Sequence, residues 1–431
     1  MPRTLQTTYS EGILYGLPTF PAHNSKKYTA IVTGSNGISG SEIVNALIAS
    51  PERWETIYSM SRKPPKSDNR RVKPIAADFL NSTPAELAVL FKKESITADY
   101  VFFTSYLQPA SPEGAGLWSN TDELDNTNVT LLSNFLSALS ISQIVPKRFL
   151  LQTGGKHYGV HLGPTAMPMT EDTPALRVPH SNFYFPQEDL LTSWCLENNT
   201  HWTVTRPGFI IGANENAQIN ISYALALYAA IQRELKGRLE FPADLSAWDI
   251  NKDLTYAGII GYFSEWAVLT DGAADQALNI VDDSPFSYGK FWPKLAAWFG
   301  IPYSTPDVDP SAFTEVTMPR NPAPRGFGPA GKVYLKWTFS EWAKSPEVKK
   351  SWEILQEREG LRKDLNPWRR WEKIQEVWGA LDAEILGGWG RTQTMDKSKK
   401  LGWLGHVQTD EGIKTTVERM VEMKMVPKAL D

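Results

Sequence analysis

The stretch Tyr28-Thr29-Ala30-Ile31-Val32-Thr33-Gly34-Ser35-Asn36-Gly37-Ile38-Ser39-Gly40 decides the fold. A short β-branched run ends in evenly spaced glycines, and an apolar-periodic segment carrying Ile43, Val44, Leu47 and Ile48 follows. This reads as strand, glycine turn and helix. The glycines differ in what they make possible. Gly34 permits the tight turn, Gly37 lets backbone N–H groups approach a diphosphate, and Gly40 lets the helix close on the strand. The phosphates would then sit at the helix N-terminus. Thr33, Gly34, Asn36, Gly37, Ile38 and Gly40 are therefore candidate contacts of a dinucleotide cofactor.

Outward from this turn the pattern repeats. The next strand, Thr56 to Met60, runs into Ser61-Arg62-Lys63, where NAD-preferring folds place an acidic residue on the ribose hydroxyls. An arginine there would pair instead with a 2′-phosphate, so NADP(H) is the expected cofactor, with a solvated basic loop as the alternative. Val72 to Ala77 reads as a strand closed by Asp78-Phe79, the place where such folds commonly meet the adenine. Pro84 to Lys93 and Asp122 to Leu139 read as helices; Tyr100 to Thr104, Arg148 to Gln152 and Trp202 to Thr205 read as strands. Alternating helices and near-continuously apolar strands predict an α/β fold, a Rossmann-type doubly wound parallel sheet. Ligands of such sheets bind beyond the carboxyl ends of the strands. Thr104-Ser105-Tyr106, the run from Thr153 to Tyr158, and Pro207, Gly208 and Ile210 should line one crevice.

Residues 1–27 read as an N-terminal arm, 28–211 as the NADP-binding domain, and 212–431 as a smaller, mostly helical, substrate-binding region that returns one strand near 277–281. Many of its tryptophans fall at helical spacing and should pack between helices, with a few walling an apolar pocket. Residues 303–330 are proline-rich and read as an irregular connection. The chain has 431 residues, 42% hydrophobic and 21% charged, with a net charge of −4. That balance offers no basic field for nucleic acid or an anionic membrane. The single cysteine, Cys195, rules out an internal disulfide and, set in an apolar helical pattern, reads as a buried structural thiol. No signal pattern or bilayer-length apolar run is present, which makes a cytoplasmic protein the expectation. No metal is expected, the partner is a small molecule, and a homodimer is left open.

Reductases on this fold usually pair a tyrosine with a lysine one helical turn later, yet no tyrosine here has lysine at that offset. Tyr184 opens a helical pattern, but the fourth residue after it is Glu188. Lys156, at the end of the fifth strand, is the candidate source of the ammonium. The pair would give one substrate oxygen two donors where negative charge develops. The competing reading makes Lys156 a surface loop residue and Tyr184 a core aromatic.

A series of motifs bears on that choice. Thr33-Gly34-x-x-Gly37-x-x-Gly40, Ser61-Arg62, Gln152-Thr153-Gly154-x-Lys156-His157-Tyr158, Asn182-Phe183-Tyr184-x-x-x-Glu188-Asp189 and Arg206-Pro207-x-x-Ile210 resemble the progesterone 5β-reductase/iridoid synthase-like family, extended short-chain dehydrogenases/reductases. The similarity continues through Trp248-Asp249-Ile250, Ala277-Leu278-Asn279 and Lys400-Leu401-Gly402-Trp403, covering about residues 28–430. The resemblance implies NADPH-dependent reduction of the carbon–carbon double bond of enones, as found in specialised metabolism, with the family's lysine and tyrosine falling on Lys156 and Tyr184. His157 and Tyr158 would support or wall the pocket. Two departures touch substrate choice: Phe185 stands where relatives often have a second tyrosine, and Tyr106 where many carry a tryptophan. The same donors would also serve 1,2-carbonyl reduction or a retro-aldol cleavage, and a catalytically silent NADP-sensing protein is the reading from another class.

Overall fold

In the computed structural model, which describes residues 7–20, 27–110, 118–177, 182–217 and 219–429, a hairpin of β1 (Thr8–Glu11) and β2 (Leu14–Pro18) precedes the glycine-turn strand β3 (Tyr28–Thr33). There follow α1 (Ile38–Ala49), β4 (Trp54–Ser61), β5 (Val72–Ala76), α2 (Pro84–Lys93), β6 (Tyr100–Phe103), α3 (Thr121–Ile141) and β7 (Arg148–Gln152). Next come α4 (Tyr184–Glu197), β8 (His201–Pro207), β9 (Phe209–Ile211), α5 (Ile221–Glu234), α6 (Leu245–Asp249), β10 (Leu254–Tyr256), α7 (Ala257–Leu269) and β11 (Gln276–Ile280). A seven-stranded sheet runs in the order β11-β8-β7-β6-β3-β4-β5, every pair parallel. The order reverses at β3, which places the crevice between the carboxyl ends of β3 and β6.

Alternation along the strands explains the layering. Ala30 and Val32 of β3, Phe102 of β6 and Leu150 of β7 join Ile43 and Leu47 of α1 and Ile259 and Phe263 of α7 in one apolar core. Their neighbours Ile31, Val101, Phe103, Phe149 and Leu151 point the other way, onto Phe91 of α2, Phe135 of α3, and Leu191 and Cys195 of α4. Burial on both faces is what makes these strands read as continuous apolar runs. Cys195 is 1% exposed, and burial pushes its thiol up to about 12, as an inert core group requires.

The remaining elements are α8 (Tyr288–Phe299), a hairpin of β12 (Thr314–Thr317) and β13 (Lys332–Leu335), α9 (Phe339–Trp342), α10 (Pro346–Arg358), α11 (Trp371–Ile374), a π-helical turn at Gln375–Gly379, α12 (Ala380–Ile385), α13 (Asp396–Lys400) and α14 (Thr409–Glu422). The proline-rich connection thus contains a strand. All residues of β12 are exposed, so its sequence has no inside-outside alternation to betray it. The segment after α6 leads into β10, which pairs in parallel with β9.

Within the segment read as an arm, β1 is wholly exposed, whereas Leu14 and Leu17 of β2 join the core. Reciprocal backbone hydrogen bonds of 2.9 Å tie Tyr15 to His406, and the Tyr262 hydroxyl donates to Glu11 at 2.7 Å. Residues 1–6 and 21–26 of that segment lie outside the described residues. Among the described residues, no helix is long and apolar enough to cross a membrane.

Candidate active site

The glycine turn has the shape its sequence predicts. Gly34 sits at φ +63° with its α-carbon tight against β6: a side-chain carbon there would lie 2.8 Å from the Thr104 carbonyl oxygen. One at Gly40 would collide with the Gly34 carbonyl, so a larger residue at either position would force the turn open. Gly37 is the N-cap of α1; no side chain takes up the first N–H groups, and the first turn carries no acidic residue. Those donors and the positive end of the helix dipole fit a diphosphate. The turn is held from behind. Thr104 Oγ1 donates to Thr33 O at 2.7 Å, Asn214 Nδ2 to Asn36 O at 3.2 Å, and Gln152 Nε2 to Ser39 Oγ at 2.9 Å.

Around this turn, Ser61 is buried at the end of β4, while Arg62 and Lys63 project into solvent. Burial would raise the Asp78 carboxyl, but hydrogen bonds from Asn81 and Leu80, with Arg62 nearby, hold it below the usual carboxylate range. The Phe79 ring packs edge-on against Phe135 at 5.1 Å. Ser105 is partly exposed beyond β6. Thr153 is tied to β8 by its N–H, 2.8 Å from Thr205 O. Gly208 N donates to Thr255 Oγ1 at 2.9 Å, and Ile210 lies in β9 opposite Thr255 of β10. The coenzyme candidates at the ends of six strands, β3 to β8, therefore share one edge of the sheet.

Tyr184 is the first residue of α4, where Asn182 Oδ1 accepts its backbone N–H at 3.1 Å, a local capping bond of the kind asparagine supplies at helix starts. From there the phenol reaches the end of β7. A side-chain carbon at Gly154 would lie 3.1 Å from Tyr184 Oη and 3.5 Å from Pro207 O, so the bare glycine is what makes room for it. Lys156 stands in the 3-10 turn Gly155–Tyr158 that follows. Its ammonium lies 3.5 Å over the ring of Trp118. Burial pulls the Lys156 pKa down to about 7, and burial, then the Glu188 carboxylate, lifts the Tyr184 phenol well above its ordinary value. At neutral pH the tyrosine is a proton-bearing donor, and the lysine releases its proton more readily than an exposed one.

His157 and Tyr158, 4% and 3% exposed, are turned into the fold beneath this edge. His157 Nδ1 lies 3.3 Å from Glu188 Oε1, and Arg206 Nη2 donates to Glu188 Oε2 at 3.2 Å. Burial lowers the His157 pKa, keeping the ring neutral. The Tyr158 hydroxyl donates to Asn279 Oδ1 at 2.6 Å, and Gln393 Nε2 reaches the same oxygen at 3.0 Å and Arg206 O at 2.8 Å. The Lys-His-Tyr turn is thus fixed by residues of α4, β8, β11 and the carboxyl-terminal segment. Glu188, which displaces the usual helical lysine, belongs to this support.

Tyr106 stands beside the pair. Its ring stacks on Phe183 at 5.8 Å, and Phe183 in turn meets Tyr184 edge-on at 4.7 Å. Its hydroxyl donates to Gln108. Desolvation raises the Tyr106 phenol, a hydrogen bond donated by the Trp118 indole opposes this, and Tyr184 and Glu376 push it further up. Trp118, Phe183, Gln108 and Glu376 are site residues that sequence reasoning did not single out. Phe183 and Gly154 are parts of the Asn-Phe-Tyr and Gln-Thr-Gly motifs; Trp118 and Glu376 carry no local signal, being brought to the edge by the long α3 and by the π-helical turn. A separate recess of about 410 Å³ opens between Thr165, Met167, Arg325, Phe327 and Trp389; none of the predicted site residues lines it.

Comparisons with known proteins agree with this geometry. The model of the PRISE-like Rossmann-fold domain matches residues 30–318. A short chain dehydrogenase, gsfE, of Penicillium aethiopicum is 30% identical over 405 residues, covering 93% of this chain and 99% of that protein. An (S)-8-oxocitronellyl enol synthase of Nepeta racemosa is 26% identical over 424 residues, 92% of this chain and 93% of its own. Among solved structures, a UDP-glucose 4-epimerase of Thermotoga maritima superposes with a TM-score of 0.57 at 14% identity, covering 92% of this chain and 99% of that one; a UDP-glucuronic acid 4-epimerase of Bacillus cereus, in complex with UDP-glucuronic acid and NAD, gives 0.56 at 12%, covering 92% and 99%. At such identity the structures speak for the fold alone, whereas the family match spans most of the sheet, its glycine turn, and both Lys156 and Tyr184. The chain belongs to the family of the PRISE-like Rossmann-fold domain, built on the short-chain dehydrogenase/reductase fold.

Proposed function

We propose that this protein is an NADPH-dependent reductase of α,β-unsaturated carbonyl compounds, acting by 1,4-reduction. The observation that supports the reading is that both candidate donors stand just beyond the end of one strand, β7: the Tyr184 phenol over Gly154 and Lys156 in the turn that follows. NADPH supplies the hydride when bound. The chain's own residues hold the substrate oxygen, where an enolate's charge develops as the β-carbon is reduced; Tyr184 donates its proton-bearing hydroxyl to it, and Lys156 contributes positive charge. Such preorganised donors stabilise a developing oxyanion most strongly in a water-poor site. A relative named for making an enol fits residues suited to an enolate oxygen. Arg62 and Lys63, both exposed beyond β4, support a 2′-phosphate and hence NADP(H).

The test is incubation with NADPH and small enones, following the nicotinamide absorbance and identifying the product. A saturated ketone is the expected product. An allylic alcohol would replace the assignment by 1,2-carbonyl reduction, and bound NADP with no turnover of any carbonyl compound would replace it by a sensing role.

A further inference from the structure

The Lys156 ammonium meets the face of an indole. Trp118 presents its ring at 3.5 Å, well within cation–π range. Among the described residues no carboxylate pairs with Lys156, and its only resolved influence is desolvation. The groups on the elements packed around it are spoken for: Glu188 of α4 by Arg206 and His157, Glu376 of the π-helical turn by Lys373, and Tyr106 by Gln108. Trp118 itself is held in place at a cost, since its backbone is left-handed at φ +67°, a conformation that a residue with a β-carbon rarely adopts without compensating contacts. Its indole also touches Tyr106, whose neighbour Leu107 is pinned by Asn128 through both its N–H and its carbonyl.

We propose that Trp118 is the positioning residue of Lys156: its indole face holds the ammonium at the end of β7 and sustains its charge in a desolvated cleft. The role of Lys156 in catalysis rests on the function proposed above, but the contact of indole with ammonium does not. A cation on an aromatic face is stabilised relative to the free amine, so replacing the indole by an apolar side chain that keeps the ammonium desolvated should lower the lysine pKa, by about one pH unit for a cation–π contact of ordinary strength.

Competitive labelling of the Lys156 amine across pH, read by peptide mass spectrometry, measures this without any turnover. In the full-length Trp118→Leu variant the Lys156 labelling midpoint should fall by about one pH unit, with Lys147 and Lys294 unchanged; Trp118→Phe should show a smaller fall, and serves alone if the leucine variant does not fold. With an enone and NADPH, Trp118→Leu should lower kcat more than it raises KM and move the alkaline limb of the kcat profile down in pH, with Trp118→Phe restoring most of the rate. An unchanged Lys156 midpoint in these variants overturns the proposal. A shifted midpoint in a protein that turns over no enone leaves the positioning intact and removes the reductase reading instead.

Discussion

The half of the chain up to β8 and the half beyond it solve the same packing problem in opposite ways. In the first, strands pack against helices close to them in sequence, and the glycine turn at Gly34, Gly37 and Gly40 is written within seven consecutive positions. In the second, aromatic residues from distant segments meet: Tyr228 of α5 contacts Trp292 of α8, Trp337, Phe339 and Trp342 of α9 within 6.2 Å, and Trp342 meets Trp378 of the π-helical turn at 5.2 Å. A core made of neighbours in sequence can be read from periodicity. A core made of large rings collected from far apart can be recognised only by its composition.

The comparison is broken most directly at Trp378. It is fully buried, between Trp342 and Trp368, so Trp378→Ala should cost ~3–5 kcal/mol of stability through lost burial and the cavity left behind. Both halves share one apolar core, but the rings that Trp378 meets, Trp342 and Trp368, belong to the second half, so NADP affinity in the surviving folded protein should stay near that of the wild type. Chemical denaturation and a binding titration on the same samples decide this; a parallel loss of both would mean that the coenzyme site depends on the aromatic core. The next largest effect belongs to the end of β7. Tyr184→Phe and Lys156→Ala should each lower turnover by ~10²–10³, the range for a lost oxyanion donor, with coenzyme affinity much less affected. Full activity in both variants would refute the roles proposed for them.

How much of this was legible in the sequence follows the same division. The turn, the order of strands and helices, and the boundaries of α2 and β7 were readable because they depend on residues a few positions apart. Tyr184 and Lys156 could be nominated because each ends or begins an element whose topology was already implied. The relation of the ammonium to Trp118 could not, because no periodicity links a residue at the start of α3 to the turn after β7. His157 and Tyr158 looked like cleft residues from their place after the glycines, yet their partners Glu188, Arg206, Asn279 and Gln393 come from four other segments. The strand β12 escaped notice for a different reason: an exposed hairpin has no buried face to pattern.

A third prediction probes the seam between β10, β11 and α14. Asp282 follows β11 and accepts from Tyr256 N at 2.6 Å and from Thr409 Oγ1 at 2.9 Å. Burial raises its carboxyl to about 8, far above the ordinary 3.8 of the unfolded chain. The folded state therefore favours the protonated acid: that contribution is complete below about pH 4 and is lost as pH rises through about 8. Asp253 nearby, raised to about 7 chiefly by burial, titrates in the same direction. Asp282→Asn removes one of the two charges that must be created inside the seam. Between about pH 6 and about pH 8 it should lose ~2 kcal/mol less stability than the wild type. Identical pH slopes for the two proteins would show that Asp282 is ionised throughout.

The smallest expected effect falls in the legible half, at Arg62. Because its side chain is exposed, it can bind a 2′-phosphate only as a flexible, partly hydrated cation, so Arg62→Ser should weaken NADP by ~10-fold, about the worth of one charge-assisted hydrogen bond. NAD, which lacks that phosphate, should bind the variant as it binds the wild type. The two titrations separate discrimination from architecture. An equal loss for both coenzymes would mean that Arg62 shapes the loop after β4, by way of Asp78, whose carboxyl it helps to hold ionised; equal affinity of the wild type for NAD and NADP would mean that the basic pair beyond β4 does not select the coenzyme at all. A fall confined to NADP would establish that in this half a single residue type at a single offset from the glycine turn is enough to choose the coenzyme, while in the other half each tryptophan is one of many rings in a shared core.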